Sequence, residues 1–300
     1  MTTTSLASRV PIIEGLSAIA ARYDAILCDI WGVLHNGRHA FPPASEALAA
    51  FRRRGGAVVL VSNAPRPNAS ILRQVLRLGV SPDAFDSIVT SGDVAIGLIA
   101  ERVAAPVHHI GPERDLALFE AAAARAGARP VLVGLEEASY VMCTGLFDDT
   151  VETPDDYAER LRAMAARGLT LICANPDLVV HRGAELIYCA GALAQAYEAL
   201  GGKTIYAGKP HAPIYDAALV AAGAALKAPF AHSRVLAIGD AMRTDIAGAA
   251  GVGLDALFVT AGIHRDALHG SDASVADEEL QSLFAREKLW PVAAMRELVS

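Results

Sequence analysis

Cys28-Asp29-Ile30-Trp31-Gly32-Val33-Leu34 follows the apolar run Ala25-Ile26-Leu27, and its reading decides the fold. It puts an aspartate at the end of a continuously apolar strand, Ala25 to Cys28, with a glycine turn behind it. Open α/β sheets keep their chemistry at such strand ends. A carboxylate there is costly to bury unless a cation or hydrogen bonds hold it, so it marks a metal site or a nucleophile. Taken alone, it reads equally well as a helix N-cap or an Asx-turn.

Three further segments shift that balance. Val58-Val59-Leu60-Val61-Ser62-Asn63 is a second apolar strand, ending in a hydroxyl and an amide. Tyr206-Ala207-Gly208-Lys209-Pro210 holds a lysine in a short turn. Val235-Leu236-Ala237-Ile238-Gly239-Asp240 is a third strand ending in Gly-Asp, with Arg243, Thr244 and Asp245 just behind it. Together they read as a site for phosphoryl transfer. Asp29 and Asp240 offer oxygen ligands to Mg²⁺, which keeps several waters and takes only one or two protein carboxylates. Ser62 and Lys209 suit the remaining phosphoryl oxygens and the charge of the transition state. A carboxylate beside such cations stays ionised and can attack phosphorus, giving an aspartyl-phosphate. Asp245, one turn beyond Asp240, is placed to orient metal-bound water or Lys209.

The order DxxGV, VSN, GKP, GDxxxTD resembles the haloacid dehalogenase superfamily of aspartate-nucleophile hydrolases over nearly the whole chain. Cys173-Ala174-Asn175-Pro176-Asp177, then Tyr188-Cys189-Ala190-Gly191-Ala192-Leu193, then Gly208-Lys209-Pro210 is similar to its class IIA branch of NagD-like and p-nitrophenylphosphatase-like enzymes. The resemblance implies an α/β fold. A Rossmann-like core of residues 1–92 and 204–300 carries a parallel sheet, and residues 93–203 form an inserted α/β cap of the C2 type. It also implies Asp29 as nucleophile, Ser62 and Lys209 as phosphate ligands, and a metal site of Asp29, Asp240, Asp245 and the Trp31 carbonyl. Asn63, Asn175 and Asp177 join Lys209 as substrate contacts, the resemblance placing the 175–177 loop over the core site, although Asn175-Pro176-Asp177 read from its residues alone is equally a simple turn. His181, Arg182 and Arg66 are further candidates for an anionic substrate. Caps of this type often dimerise in relatives, so a homodimer is within expectation.

Trp31 departs from the pattern. Phosphatases of this superfamily carry a second aspartate there, which protonates the leaving group and then activates water. Indole has one non-titrating donor and does neither. Losing a general acid/base costs on the order of 10²–10⁴ in rate. Dehalogenases of the superfamily place an aromatic residue at this position, but they lack the metal-binding carboxylates that Asp240 and Asp245 supply here. His35 and His211 are the imidazoles nearest the site in sequence, each also readable as a solvated loop residue. His108 and His109 follow a strand-like segment and should point to opposite faces, a poor metal pair.

At 300 residues the chain is long for one hydrophobic core, so two domains are expected. A net charge of -7, with no basic stripe, argues against nonspecific nucleic-acid binding and suits a soluble enzyme. No 18-residue uncharged apolar run suggests a membrane span. Met1 to Ala20 lacks a signal-peptide pattern and reads as a short helix. Cys28, Cys143, Cys173 and Cys189 show no CxxC spacing and read as buried reduced thiols, which points to the cytoplasm. Two functions follow. One is a Mg²⁺-dependent hydrolase of a sugar phosphate or nucleotide through Asp29, slow or selective for its leaving group because of Trp31. The other is a degenerate relative that binds phosphorylated ligands with little turnover.

Overall fold

The computed structural model describes residues 9–182, 185–268 and 277–300. Its strands are β1 (Ala25–Asp29), β2 (Ala57–Ser62), β3 (Ser87–Thr90), β4 (Val107–Ile110), β5 (Tyr140–Cys143), β6 (Thr170–Cys173), β7 (Val179–Arg182), β8 (Glu185–Tyr188), β9 (Lys203–Tyr206), β10 (Val235–Gly239), β11 (Asp255–Val259) and β12 (Ala293–Met295). Six form one sheet in the order β12-β11-β10-β1-β2-β3, all parallel. β1 and β10 are buried at every position. Parallel strands covered by helices on both faces read as unbroken apolar runs, which is why these strands were legible.

Helices Pro42–Arg53 and Asn68–Leu78 cover one face of the sheet, packing Leu48, Phe51, Ile71 and Val75 against Ile26, Val58 and Leu60. On the other face helix Ala212–Leu226 packs Ile214, Tyr215 and Ala218 against Leu27, Val59 and Val61. The register pairs Asp29 with Val61 and Cys28 with Ile238. Asp29, Ser62 and Asp240 therefore emerge side by side at the carboxyl edge of the sheet, the crevice where doubly wound folds bind ligands.

Helix Ser91–Ala100 leaves β3 through a Thr90–Asp93 capping box and leads into a second parallel sheet, β4-β5-β6-β9. This is the cap. Its sheet includes β9, whose Lys203–Tyr206 pair with Thr170–Cys173, so the return to the core follows Tyr206. The antiparallel β7–β8 hairpin is an addition that βα alternation did not foretell. The N-terminal helix is also shorter than expected, Ser17–Ala20 among the described residues. Pro11 cannot continue a helix. Instead the segment lies beside β12, where the Ala294 N–H donates to the Pro11 carbonyl and the Ile13 N–H to the Ala294 carbonyl. All four cysteines are buried and free, and no described helix is long and apolar enough to cross a membrane.

Candidate active site

Lys209, in the turn that follows β9, reaches back under the sheet edge. Its Nζ lies 2.6 Å from Asp29 Oδ1 and 2.7 Å from Asp245 Oδ1, and all three side chains are buried. Asp240 joins them, and one carboxylate oxygen from each of Asp29, Asp240 and Asp245 falls within 4.8 Å of the others. Backbone amides fix the two later carboxylates: the Ile263 N–H donates to Asp240 Oδ2 at 2.7 Å and the Ala241 N–H to Asp245 Oδ2 at 3.1 Å. A wide π-helical turn over Met242–Ile246 carries Asp245 back above the strand end. Gly32, at φ +81°, lets the loop after Asp29 pass against Asp240, whose carboxylate would collide with a Cβ at that position.

Electrostatically the cluster is under-neutralised. Burial pushes Asp29 up to about 7 against the pull of Lys209, with Asp245 adding to the rise. Burial, then the charges of Asp29 and Asp245, hold Asp240 well above the usual carboxylate range. For Lys209 burial acts downward, but Asp245 and Asp29 outweigh it and keep the ammonium charged. Three buried carboxylates around one lysine suit a hard divalent cation. These are the three carboxylates that the sequence names, with the Trp31 carbonyl, as candidate metal ligands.

Ser62 and Asn63 divide their roles. Ser62 borders the cavity, its Oγ accepting a local bond from the Ala64 N–H at 3.2 Å. The Asn63 amide is occupied. Its Oδ1 accepts from the Lys209 N–H at 2.7 Å, and its Nδ2 donates to the Lys209 carbonyl at 3.0 Å and to Asp177 Oδ1 at 2.9 Å. Asn63 thus orients the lysine and ties the cap loop to the core. Asn175 turns that loop by accepting from the Asp177 N–H at 3.1 Å, and both residues border the same cavity.

That cavity, about 740 Å³, opens between Asp29 and the cap. Trp31 forms part of its wall, 38% exposed, with its ring edge-to-face on His35 at 5.1 Å and 78°. His35 is no substitute acid. It is buried outside the cavity wall, its Nδ1 accepts from the Gly37 N–H at 3.0 Å, and burial drives its pKa down to about 4. His211 stacks on Tyr206 at 4.3 Å, away from the cavity lining. His108 and His109 do part as strand neighbours, toward the Val133 carbonyl and the Thr144 hydroxyl. The side chains of His181 and Arg182 lie outside the described residues.

The cap contributes a polar group that sequence reading missed. Asp115, buried at the start of the helix after β4, borders the cavity with Thr144, Arg114 and Asp149, and Arg66 and Gln74 face them from the core. Burial raises the Asp115 carboxyl to about 6, with Arg114, the Thr144 hydroxyl and Arg66 holding it partly down. Its strand, Val107–Ile110, carries His108 and His109, and Gly111 and Pro112 separate it from the acids, so no pattern like that at Asp29 marked Asp115. Because the folded pKa lies above its ordinary 3.8, Asp115 favours the fold most when protonated and loses that contribution as pH rises through about 6. Asp115→Asn is therefore expected to stabilise the protein at pH 8 by up to about 3 kcal/mol, the gain shrinking toward zero near pH 4. Thermal melts at both pH values check this, and a variant less stable than wild type at pH 8 would contradict it.

Comparison with known proteins gives a consistent picture. Residues 26–125 match the family described as haloacid dehalogenase-like hydrolase, and residues 206–283 match a HAD-hydrolase-like family. A haloacid dehalogenase-like hydrolase from Brucella suis 1330 is 45% identical, with a TM-score of 0.82 over 96% of this chain and 100% of that one. The D-glycerol 3-phosphate phosphatase of Mycobacterium tuberculosis is 30% identical over 286 residues, 93% of this chain and 76% of the relative. A glycerol phosphate phosphatase structure from that organism, in complex with calcium, is 27% identical with a TM-score of 0.61, over 82% of this chain and 68% of that one. The ribonucleotide monophosphatase NagD of Escherichia coli is 28% identical over 245 residues, 79% of this chain and 88% of the relative.

Proposed function

Because this chain belongs to the haloacid dehalogenase-like hydrolases, in their class IIA branch, and is a hydrolase of phosphate esters, we propose that it is a Mg²⁺-dependent phosphatase of a small phosphorylated metabolite. The observation that carries this reading is Lys209 bonded to both Asp29 and Asp245 at the floor of a cavity large enough for a sugar phosphate or a nucleotide. Relatives that act on glycerol phosphate and on ribonucleotides support that substrate class. Four buried free thiols suit the reducing cytoplasm.

Asp29 is the nucleophile in this mechanism. One of its oxygens stays on Lys209 while the other attacks phosphorus, the ester P–O bond breaks, and an aspartyl-phosphate forms. Lys209 and the Ser62 hydroxyl hold phosphoryl oxygens as charge shifts toward the leaving group. Asp29, Asp240 and the Trp31 carbonyl would hold the cation, and Asp245 keeps Lys209 aimed. When bound, Mg²⁺ supplies the positive charge that the carboxylate cluster and the phosphoryl group lack. Turnover of a panel of phosphorylated metabolites with Mg²⁺ tests the reading, and no hydrolysis of any member would end it.

Trp31 is the observation that favours a second reading, a phosphate-ligand binder with little turnover. On this second reading no other group replaces the missing carboxylate, so weakly basic leaving groups should depart much faster than alkoxides. Trp31→Asp would then raise turnover of alkyl phosphates tenfold or more, within the ~10²–10⁴ open to acid/base catalysis. With part of the indole exposed, the substitution should cost less than the roughly 3–5 kcal/mol of a fully buried aromatic. A folded variant slower than its parent would show that the indole serves the native chemistry, and would remove the case for a degenerate site.

A further inference from the structure

The loop from Asp29 to His35 contains no group able to protonate a leaving oxygen, since Trp31 does not titrate and His35 is buried and turned away. A proton must therefore come from another wall of the cavity. Among the described residues that line it, Asp29, Asp240, Asp245 and Lys209 are engaged with one another. Asp115, Arg114 and Asp149 belong to the cap strand ends and the loops behind them, and Glu297 follows β12. Asp177 differs from all of these. It alone is bonded to the residue that clamps Lys209, through Asn63 Nδ2 at 2.9 Å.

Resting on the phosphatase reading above, we propose that Asp177 is a catalytic residue of this site: the cap carboxyl acts as general acid and base in the place that Trp31 leaves without one. The loop that carries it is rigidly seated. Asp177's own N–H is held by Asn175 Oδ1, and the Leu178 carbonyl accepts from the Cys189 N–H at 2.9 Å. Behind it, a Cβ on Gly191 would collide with the Pro176 and Asp177 carbonyls, and one on Gly208 would crowd Asn63 Oδ1 and Pro176. The loop is thus packed between the helix after β8 and the Lys209 turn. Only Oδ1 of Asp177 is needed by Asn63, which leaves the second oxygen for a proton. Burial raises the carboxyl above its ordinary range, opposed by the Asn63 bond and by Lys209 and reinforced by Asp245, the direction a general acid requires.

The proton balance closes over the two steps. As Asp29 attacks phosphorus and the ester bond breaks, the Asp177 proton passes to the leaving oxygen and an alcohol departs. Water then attacks the aspartyl-phosphate, gives a proton to the Asp177 carboxylate, and releases inorganic phosphate as the bond to Asp29 breaks. Asp177 and Asp29 return to their starting states.

The test compares an alkyl phosphate, glycerol 3-phosphate, with p-nitrophenyl phosphate, whose leaving group needs no proton. Both are assayed with Mg²⁺ for wild type, Asp177→Asn and Asp177→Ala. The amide keeps an oxygen for the Asn63 bond, so Asp177→Asn removes the proton and leaves the cap contact. The expected result is that the ratio of kcat on glycerol 3-phosphate to kcat on p-nitrophenyl phosphate falls by about 10²-fold in both variants. Equal losses on the two esters, or recovery of the wild-type ratio in Asp177→Asn, would show that Asp177 only latches the cap, and would overturn the proposal. No turnover of either ester by wild type would overturn the phosphatase reading itself, and this proposal with it.

Discussion

Asp29→Asn is expected to lower kcat on every phosphomonoester by about 10⁴-fold or more, the order of loss seen when a covalent nucleophile is removed. The loss should come without unfolding. An amide has the volume of the carboxylate and can still accept from Lys209 Nζ. It also removes one of three negative charges that share a single buried lysine. Burial lifts the folded Asp29 to about 7 from an ordinary 3.8, so its ionised form opposes the metal-free fold increasingly as pH rises through 7. The asparagine variant should then melt at or above the wild-type temperature at pH 8 and converge with it in acid. Activity on p-nitrophenyl phosphate and a thermal melt of the same preparation check both halves. A folded Asp29→Asn protein that keeps a tenth of its activity would remove the nucleophile assignment.

What the sequence disclosed follows from where each piece of information is stored. Asp29, Ser62 and Asp240 were legible because each ends a strand buried on both faces, where a continuous apolar run stops at a polar residue. Their adjacency follows from parallel register, a general property of the fold. Asn63 was visible as a strand-end amide, but its function was not. Its partners, Lys209 and Asp177, are 146 and 114 residues away, and only the packing of cap on core brings the three together. Asp115 and Arg66 face each other across the same seam, which no local pattern encodes. The β7–β8 hairpin escaped because its strands are four residues long and interrupt a βα alternation that otherwise continues through the cap.

Lys209→Met tests the charge balance of the cluster from the opposite side. The lysine is the cation that Asp29 and Asp245 share, and its pKa is raised well above the usual value, so its contribution is complete at neutral pH and would fade only in strong alkali. Removing one partner from a buried ionic group strands the other charges, a change that costs about 3–5 kcal/mol. In metal-free protein the variant should therefore melt roughly 5–15 °C lower than wild type. Added Mg²⁺ should restore part of that loss. A cluster stripped of its ammonium attracts a divalent cation more strongly, and a ligand bound only by the folded state stabilises in proportion to the logarithm of its saturation. The upward shift of the melting temperature by Mg²⁺ should accordingly be larger in Lys209→Met than in wild type, and nearly absent in Asp240→Asn, which lacks one of the three carboxylates. Turnover should not return with stability, because the cation cannot replace the Nζ hydrogen bonds that hold the phosphoryl group and fix Asp29. A Mg²⁺ shift no larger in Lys209→Met than in wild type would mean that the Asp29 and Asp240 carboxylates do not hold the cation. The resting site would then be neutralised by protons on the two raised carboxyls, Asp29 and Asp240, rather than by a cation.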